Sequence, residues 1–170
     1  PCYVYSAAGI RNAYLQYAEG LAGIPHHICY AVKANGNLGV LRHLATLGSG
    51  FDIVSGGELY RVLQAGGDPA KVVFSGVGKT REEVEYALEQ GIHSFNCESE
   101  GEIALISALA RRLNKTAAIA IRVNPDVDAS THPYISTGLK EHKFGIDIAE
   151  VAAVYETAAA LSGLSVQGVS

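Results

Sequence analysis

The chain has 170 residues, 48% of them hydrophobic and 18% charged, with a formal net charge of −4. That length holds one sizeable core, and the composition is that of a globular rather than a disordered chain. The absence of a basic block argues against nucleic acid as the main partner, and no apolar run is long enough to cross a bilayer.

Pro1–Tyr5 reads as a short strand, and Ser6 as the N-cap of a helix running to about Leu21. Gly23-Ile24-Pro25 breaks it, and a strand over His27–Val32 follows. Asn35-Gly36-Asn37 is a turn that opens a helix from about Leu38 to Leu47. Phe51–Val54 is the next strand, and Ser55-Gly56-Gly57-Glu58 starts a helix that ends at Gly66-Gly67-Asp68-Pro69. Val72–Phe74 is a strand. Thr80 with Glu83, and later Ser99 with Glu102, are capping-box pairs that open two further helices. Ile92–Asn96 and Thr116–Val123 are strands, a long polar loop spans Asn124 to Gly145, a helix runs from Ile148 to Leu161, and Leu164–Val169 is the last strand.

Such alternation, with apolar strands and short connections, indicates a parallel sheet covered by helices. The unit recurs roughly every 20–25 residues at first, as in a β/α barrel. The open doubly wound sheet is the alternative, but no Gly-x-Gly-x-x-Gly follows a strand. About six barrel-type strands are counted where a closed barrel has eight. With no initiator methionine and an end flush with a strand, the chain is expected to be a piece of a longer protein. Residues 1–25 are expected to lead into the barrel and 26–170 to form part of it. Cys2, Cys29 and Cys97 are odd in number and widely spaced, which reads as reduced, buried thiols in a cytoplasmic protein. The spacing offers no metal site.

Barrel active sites lie at the C-terminal ends of the strands. Lys33 ends the first barrel strand; in an apolar cleft its amine would lose its proton readily and form an imine with an aldehyde. Asp52 and Glu58 follow on the second strand and its exit, Ser75-Gly76-Val77-Gly78-Lys79 follows the third, and Asn96, Glu98 and Ser99 the fourth. Arg122 and Asn124 end the fifth. Gly76 and Gly78 could cradle a phosphate, and Glu58 could equally serve the helix dipole. Arg122, inside Ile121-Arg122-Val123, needs a partner if it is buried. His132, Tyr134 and His142 lie in the long loop, where substrate contact is open; His26, His27 and His43 read as ordinary loop or helix-edge residues.

Four segments carry a resemblance. Tyr30-Ala31-Val32-Lys33-Ala34-Asn35, Gly50-Phe51-Asp52-Ile53-Val54-Ser55-Gly56-Gly57-Glu58-Leu59, Arg122-Val123-Asn124-Pro125 and Lys143-Phe144-Gly145 are similar, in order, to the barrel domain of the diaminopimelate decarboxylases. These are pyridoxal-phosphate enzymes of the alanine racemase type, and ornithine and arginine decarboxylases are relatives. The resemblance implies an incomplete pyridoxal-phosphate-binding (β/α)8 barrel with Lys33 as the catalytic, cofactor-bearing residue. It places Asp52, Glu58 and Arg122 beside the cofactor, and Asn124 and Lys143 on the substrate side. It implies decarboxylation of meso-2,6-diaminopimelate to L-lysine, a small amino-acid substrate, no membrane, and a homodimeric parent. Ornithine, arginine or carboxynorspermidine decarboxylation are the alternatives, as are a non-catalytic barrel that binds the cofactor and a Schiff-base aldolase.

Departures from the family pattern set further expectations. The family's cofactor-stacking histidine, its glycine-rich phosphate loop, its ring-nitrogen carboxylate and its C-terminal β domain are not in this sequence. A piece of this extent is expected to be inactive alone, and to aggregate, swap or dimerise through its open sheet edges.

Overall fold

Strand–helix alternation persists through the computed structural model, which describes residues 1–125 and 144–170. These fall into two units, Pro1–Phe74 with Gln90–His93, and Ser75–Glu89 with Ser94–Ser170.

The first unit runs α1 (Ala7–Gly20), β1 (Cys29–Ala31), α2 (Leu38–Thr46), β2 (Gly50–Ile53), α3 (Gly56–Gln64) and β3 (Val72–Phe74). Its strands pair in parallel in that order, with Ala31 beside Asp52 and Asp52 beside Val73. Each helix starts where a short polar side chain accepts an otherwise orphaned backbone N–H: Ser6 from Gly9, Asn37 from Gly39 and Ser55 from Glu58. Burial alternates along the strands. Phe51, Ile53, Val72 and Phe74 are fully buried with Leu41, Leu59 and Val62 of α2 and α3. Each contributes about 2 kcal/mol of transfer free energy. Asp52 and Val73, of opposite parity, are half-buried. A parallel sheet that buried both faces would show no such alternation.

The second unit holds α4 (Arg81–Gln90, save its last residue), β4 (Ser94–Cys97), α5 (Glu100–Arg112), β5 (Ala117–Ile121), β6 (Val123–Asn124), β7 (Ile146–Asp147), α6 (Val151–Ala160) and β8 (Leu164–Val169). β4, β5 and β8 pair in parallel, while β6 and β7 form a separate two-residue parallel pair. Phe95, Cys97, Ile119 and Ile121 are buried with Ile106 and Leu109 of α5, and Asn96, Ala118 and Ala120 take the half-buried positions between them. The Nζ of Lys115 donates to the Leu88 and Glu89 carbonyls, where a cation complements the C-terminal end of α4.

Three expectations need correction. Pro1–Tyr5 is not a strand; Tyr3 and Val4 are 92% and 87% exposed, and an extended segment without a pairing partner has no ladder to join. The strand expected over His27–Val32 shrinks to Cys29–Ala31, because Val32–Ala34 winds into a 3₁₀ turn. The thiols are not uniformly buried: Cys97 is buried, Cys29 half-buried and Cys2 exposed. Among the described residues no helix is long and apolar enough to cross a membrane.

Candidate functional site

The sequence-predicted residues divide between the two units. In the first, Lys33 lies in the 3₁₀ turn Val32–Ala34 immediately after β1. Val32, 1% exposed, anchors the turn in the core, and the next side chain is thereby turned outward. The segment beyond it is pinned twice: the Tyr30 hydroxyl donates to the Asn35 carbonyl (3.4 Å), and Arg61 Nη1 donates to the Gly36 carbonyl (3.3 Å). Burial, together with the nearby Tyr5, raises the Tyr30 phenol above its ordinary value. Lys33 itself is exposed. The apolar cleft expected around its amine is not formed by the described residues of its own unit, since desolvation requires neighbours that exclude water.

Asp52 sits on the half-buried positions of β2, between Ala31 and Val73. Its negative charge adds to burial in raising the Cys29 thiol, which keeps that sulfur protonated. Glu58 is wired as a cap. Its Oε2 accepts the Val54 N–H at 2.7 Å, while the Ser55 hydroxyl accepts the Glu58 N–H at 3.2 Å. This is a reciprocal closure of the helix entrance.

In the second unit the β4 and β5 exits hold Glu98 and Arg122. Arg122 Nη1 donates to Glu98 Oε1 at 2.7 Å, with the Glu98 side chain 5% exposed and that of Arg122 40%. The partner that an arginine beside an apolar strand requires is therefore Glu98, a pairing 24 residues apart in the chain and invisible to local patterns. The guanidinium also stands 5.4 Å from the centre of the Phe144 ring, a cation–π contact. Behind it, Gly145 has φ +89°, and a Cβ there would lie 2.8 Å from the Arg122 carbonyl oxygen. Only glycine combines that conformation with that approach. Phe144 and Gly145 of the Lys143-Phe144-Gly145 motif thus cradle Arg122, while Lys143 lies outside the described residues, as do His132, Tyr134 and His142. Asn124 stands in β6, its carbonyl accepting the Ile148 N–H.

In the Ser75–Lys79 loop the lysine turns inward. Lys79 has a fully buried side chain whose Nζ donates to the carbonyls of Gly76 (2.7 Å) and Asn96 (2.8 Å) and to Glu102 Oε1. Glu102 Oε2 also accepts the Glu98 N–H at 2.8 Å. The ammonium is spent inside the protein, and a phosphate would find no lysine at this loop. This network, which sequence patterns did not indicate, sets the position of the Glu98 backbone. It also surrounds Cys97, whose thiol is pushed up to about 12, first by burial, then by Glu102, with Lys79 opposing and Glu98 adding. Cys97 is an inert core thiol.

Lys33 is thus an exposed primary amine in the first unit, and in the second unit Arg122 meets one carboxylate oxygen among the described residues while 40% of its side chain stays exposed. The family of the pyridoxal-dependent decarboxylase, pyridoxal binding domain, matches residues 7–170. The diaminopimelate decarboxylase of Pseudomonas aeruginosa is 63% identical over 169 residues, covering 99% of this chain and 41% of its own. That of Neisseria meningitidis is 56% identical over 169 residues, covering 99% of this chain and 42% of its own. Among solved structures, the Helicobacter pylori diaminopimelate decarboxylase complexed with L-lysine matches with a TM-score of 0.90 and 46% identity, over 96% of this chain and 42% of that one. The M. jannaschii enzyme in co-complex with L-lysine matches at 0.82 and 39%, over 96% of this chain and 38% of that one. The chain thus spans about two fifths of the length of the relatives it matches.

Proposed function

Because this chain belongs to the pyridoxal-dependent decarboxylases, we propose that it is the cofactor-bearing part of an enzyme that decarboxylates meso-2,6-diaminopimelate to L-lysine. Its fold is the pyridoxal-phosphate-binding β/α barrel of the alanine racemase type, incomplete here, with a run of three adjacent parallel strands in each described unit. Residues 1–25 lead into that barrel and 26–170 form part of it. The observation that carries the reading is the high identity to diaminopimelate decarboxylases along nearly the whole chain.

When bound, pyridoxal phosphate supplies the electron sink that lets carbon dioxide leave from the substrate's α-carbon. Lys33 would hold the cofactor aldehyde through its amine, and its Nζ could carry a proton there. Its exposure in the turn after β1 leaves that amine open to a ligand. Arg122 supplies a fixed cation for an oxyanion, and Asp52 a fixed anion on the half-buried positions of β2. Glu58 works one step back, closing the entrance of α3 and so shaping the β2 exit. Asn124 and Lys143 belong to the substrate side. The complete protein acts as a cytoplasmic homodimer, and this stretch alone is inactive.

Borohydride reduction of the full-length protein with pyridoxal phosphate, followed by peptide mapping, tests the assignment. One phosphopyridoxyl group on Lys33 is expected, the cofactor mass less water plus the two hydrogens of reduction; an unmodified Lys33 peptide overturns the reading.

A further inference from the structure

Glu98 carries an anomaly that the proposed roles leave unused. Its Oε2 is buried and has no hydrogen-bond partner among the described residues, while Oε1 takes a single contact from Arg122 Nη1 at 2.7 Å. An ion pair built for stability alone closes both carboxylate oxygens on the two-pronged guanidinium, and an apolar residue of similar size would avoid burying the charge at all. A buried carboxylate kept half-satisfied calls for a reason other than stability.

Arg122 supplies that reason. Glu98 holds it at one nitrogen, the Phe144 ring stands against it at 5.4 Å, and its backbone is tied by Arg122 N–H to Cys97 carbonyl (2.9 Å) and Ile146 N–H to Arg122 carbonyl (2.8 Å). Its side chain is nevertheless 40% exposed. The guanidinium has five N–H donors, and among the described residues only Nη1 meets a hydrogen-bond acceptor, which leaves the opposite edge for a ligand. Glu98 in turn cannot drift, because its own N–H is bound to Glu102, whose other oxygen is held by buried Lys79.

We propose that Glu98 is a positioning residue of the reaction: it aims the free edge of Arg122 at a ligand oxyanion. The inference rests on the decarboxylase reading above. Two sources present that chemistry, the oxygens of pyridoxal phosphate and the carboxylate of the amino-acid substrate.

The test uses the full-length protein as wild type, Glu98→Gln and Glu98→Asp. Thermal midpoints are read without cofactor, pyridoxal phosphate affinity by absorbance titration, and KM and kcat with diaminopimelate. Glu98→Gln keeps a side-chain oxygen for Arg122, whose guanidinium is 40% exposed and can also turn to water, so its thermal midpoint is expected to stay close to that of the wild type. One ligand affinity is expected to weaken by about tenfold, and Glu98→Asp, which keeps the charge, to recover to within about threefold. A loss confined to cofactor affinity assigns the oxyanion to pyridoxal phosphate; a raised KM with unchanged cofactor affinity assigns it to the substrate carboxylate. Both affinities unchanged in Glu98→Gln overturns the inference. So does a loss accompanied by a lowered thermal midpoint without rescue by Asp, which marks a purely structural pair. Wild-type protein that takes up no pyridoxal phosphate overturns the decarboxylase reading itself, a result distinguishable from all of these.

Discussion

Two lysines follow strands in this chain and meet opposite fates. Lys33, two residues past β1, is exposed; Lys79, five residues past β3, is fully buried with its ammonium on two carbonyls and a carboxylate. In sequence both are single cations at strand exits, and the glycines around Lys79 even suggest phosphate binding. What separates them is the supply of acceptors. The Lys79 loop bends back at Gly76, and Asn96 and Glu102 converge on the same point. Lys33 is carried outward by a 3₁₀ turn whose inner residue is Val32. A lysine saturated with internal acceptors is structural, and one without them keeps its amine for chemistry.

The sharpest break of that comparison is a pair of substitutions in the full-length protein. Lys79→Met is expected to lower unfolding free energy by about 3–5 kcal/mol, because it strands Glu102 and two carbonyls. Lys33→Ala is expected to change it by less than about 0.5 kcal/mol, as exposed positions do. Urea unfolding measures both, and equal losses would erase the distinction.

The two glutamates that close helix entrances sharpen it further. Glu58 and Glu102 stand at equivalent places in Ser55-Gly56-Gly57-Glu58 and Ser99-Glu100-Gly101-Glu102, each accepting the N–H of the residue before the capping serine. Glu58→Ala is expected to cost about 1 kcal/mol, the worth of a cap. Glu102→Ala also strands the Lys79 ammonium and is expected to cost about 3 kcal/mol by the same unfolding measurement. Matching losses would mean that Lys79 draws nothing from Glu102.

An effect confined to alkaline pH concerns the thiol beside this network. The Cys97 thiol is raised to about 12 in the folded chain from an ordinary value of 9.0. The folded state therefore holds its proton more tightly than the unfolded state. The associated stability is complete below about pH 9 and is lost as pH rises toward 12, at up to about 1.4 kcal/mol per pH unit. Cys97→Ala is expected to flatten the alkaline fall of stability relative to wild type, while leaving the slope below pH 8 alone. Parallel slopes above pH 9 would show that Cys97 titrates equally in both states.

Legibility followed distance along the chain. The caps at Ser6, Thr80 and Ser99, and the helix openings at Asn37 and Ser55, could be read because donor and acceptor lie within three residues of each other. So could the strands β2 to β5 and β8, whose apolar runs are continuous. The 3₁₀ turn that exposes Lys33 was hidden, because Val32 and Ala34 look like strand residues. Arg122 was recognisable as needing a partner, but Glu98, Phe144 and Gly145 reach it only across 22 to 24 residues of chain. The strand expected at Pro1–Tyr5 failed for a related reason: its pattern was right, but pairing depends on a neighbour that sequence alone does not place.

By itself, then, the order of residues determined the alternation of strand and helix, the capped helix entrances, and the motifs around Lys33, Asp52, Glu58 and Arg122 that resemble the family of the pyridoxal-dependent decarboxylase, pyridoxal binding domain. These are properties of periodicity, local hydrogen bonding and chemical type, all written within a few residues. The tertiary structure alone decided which charges are spent and which are left over: Lys79 and Glu102 consumed in a buried pair, Glu58 in a cap, Lys33 and one edge of Arg122 turned outward. A charge becomes structural or available according to the donors and acceptors brought to it from distant parts of the chain, and only folding brings them.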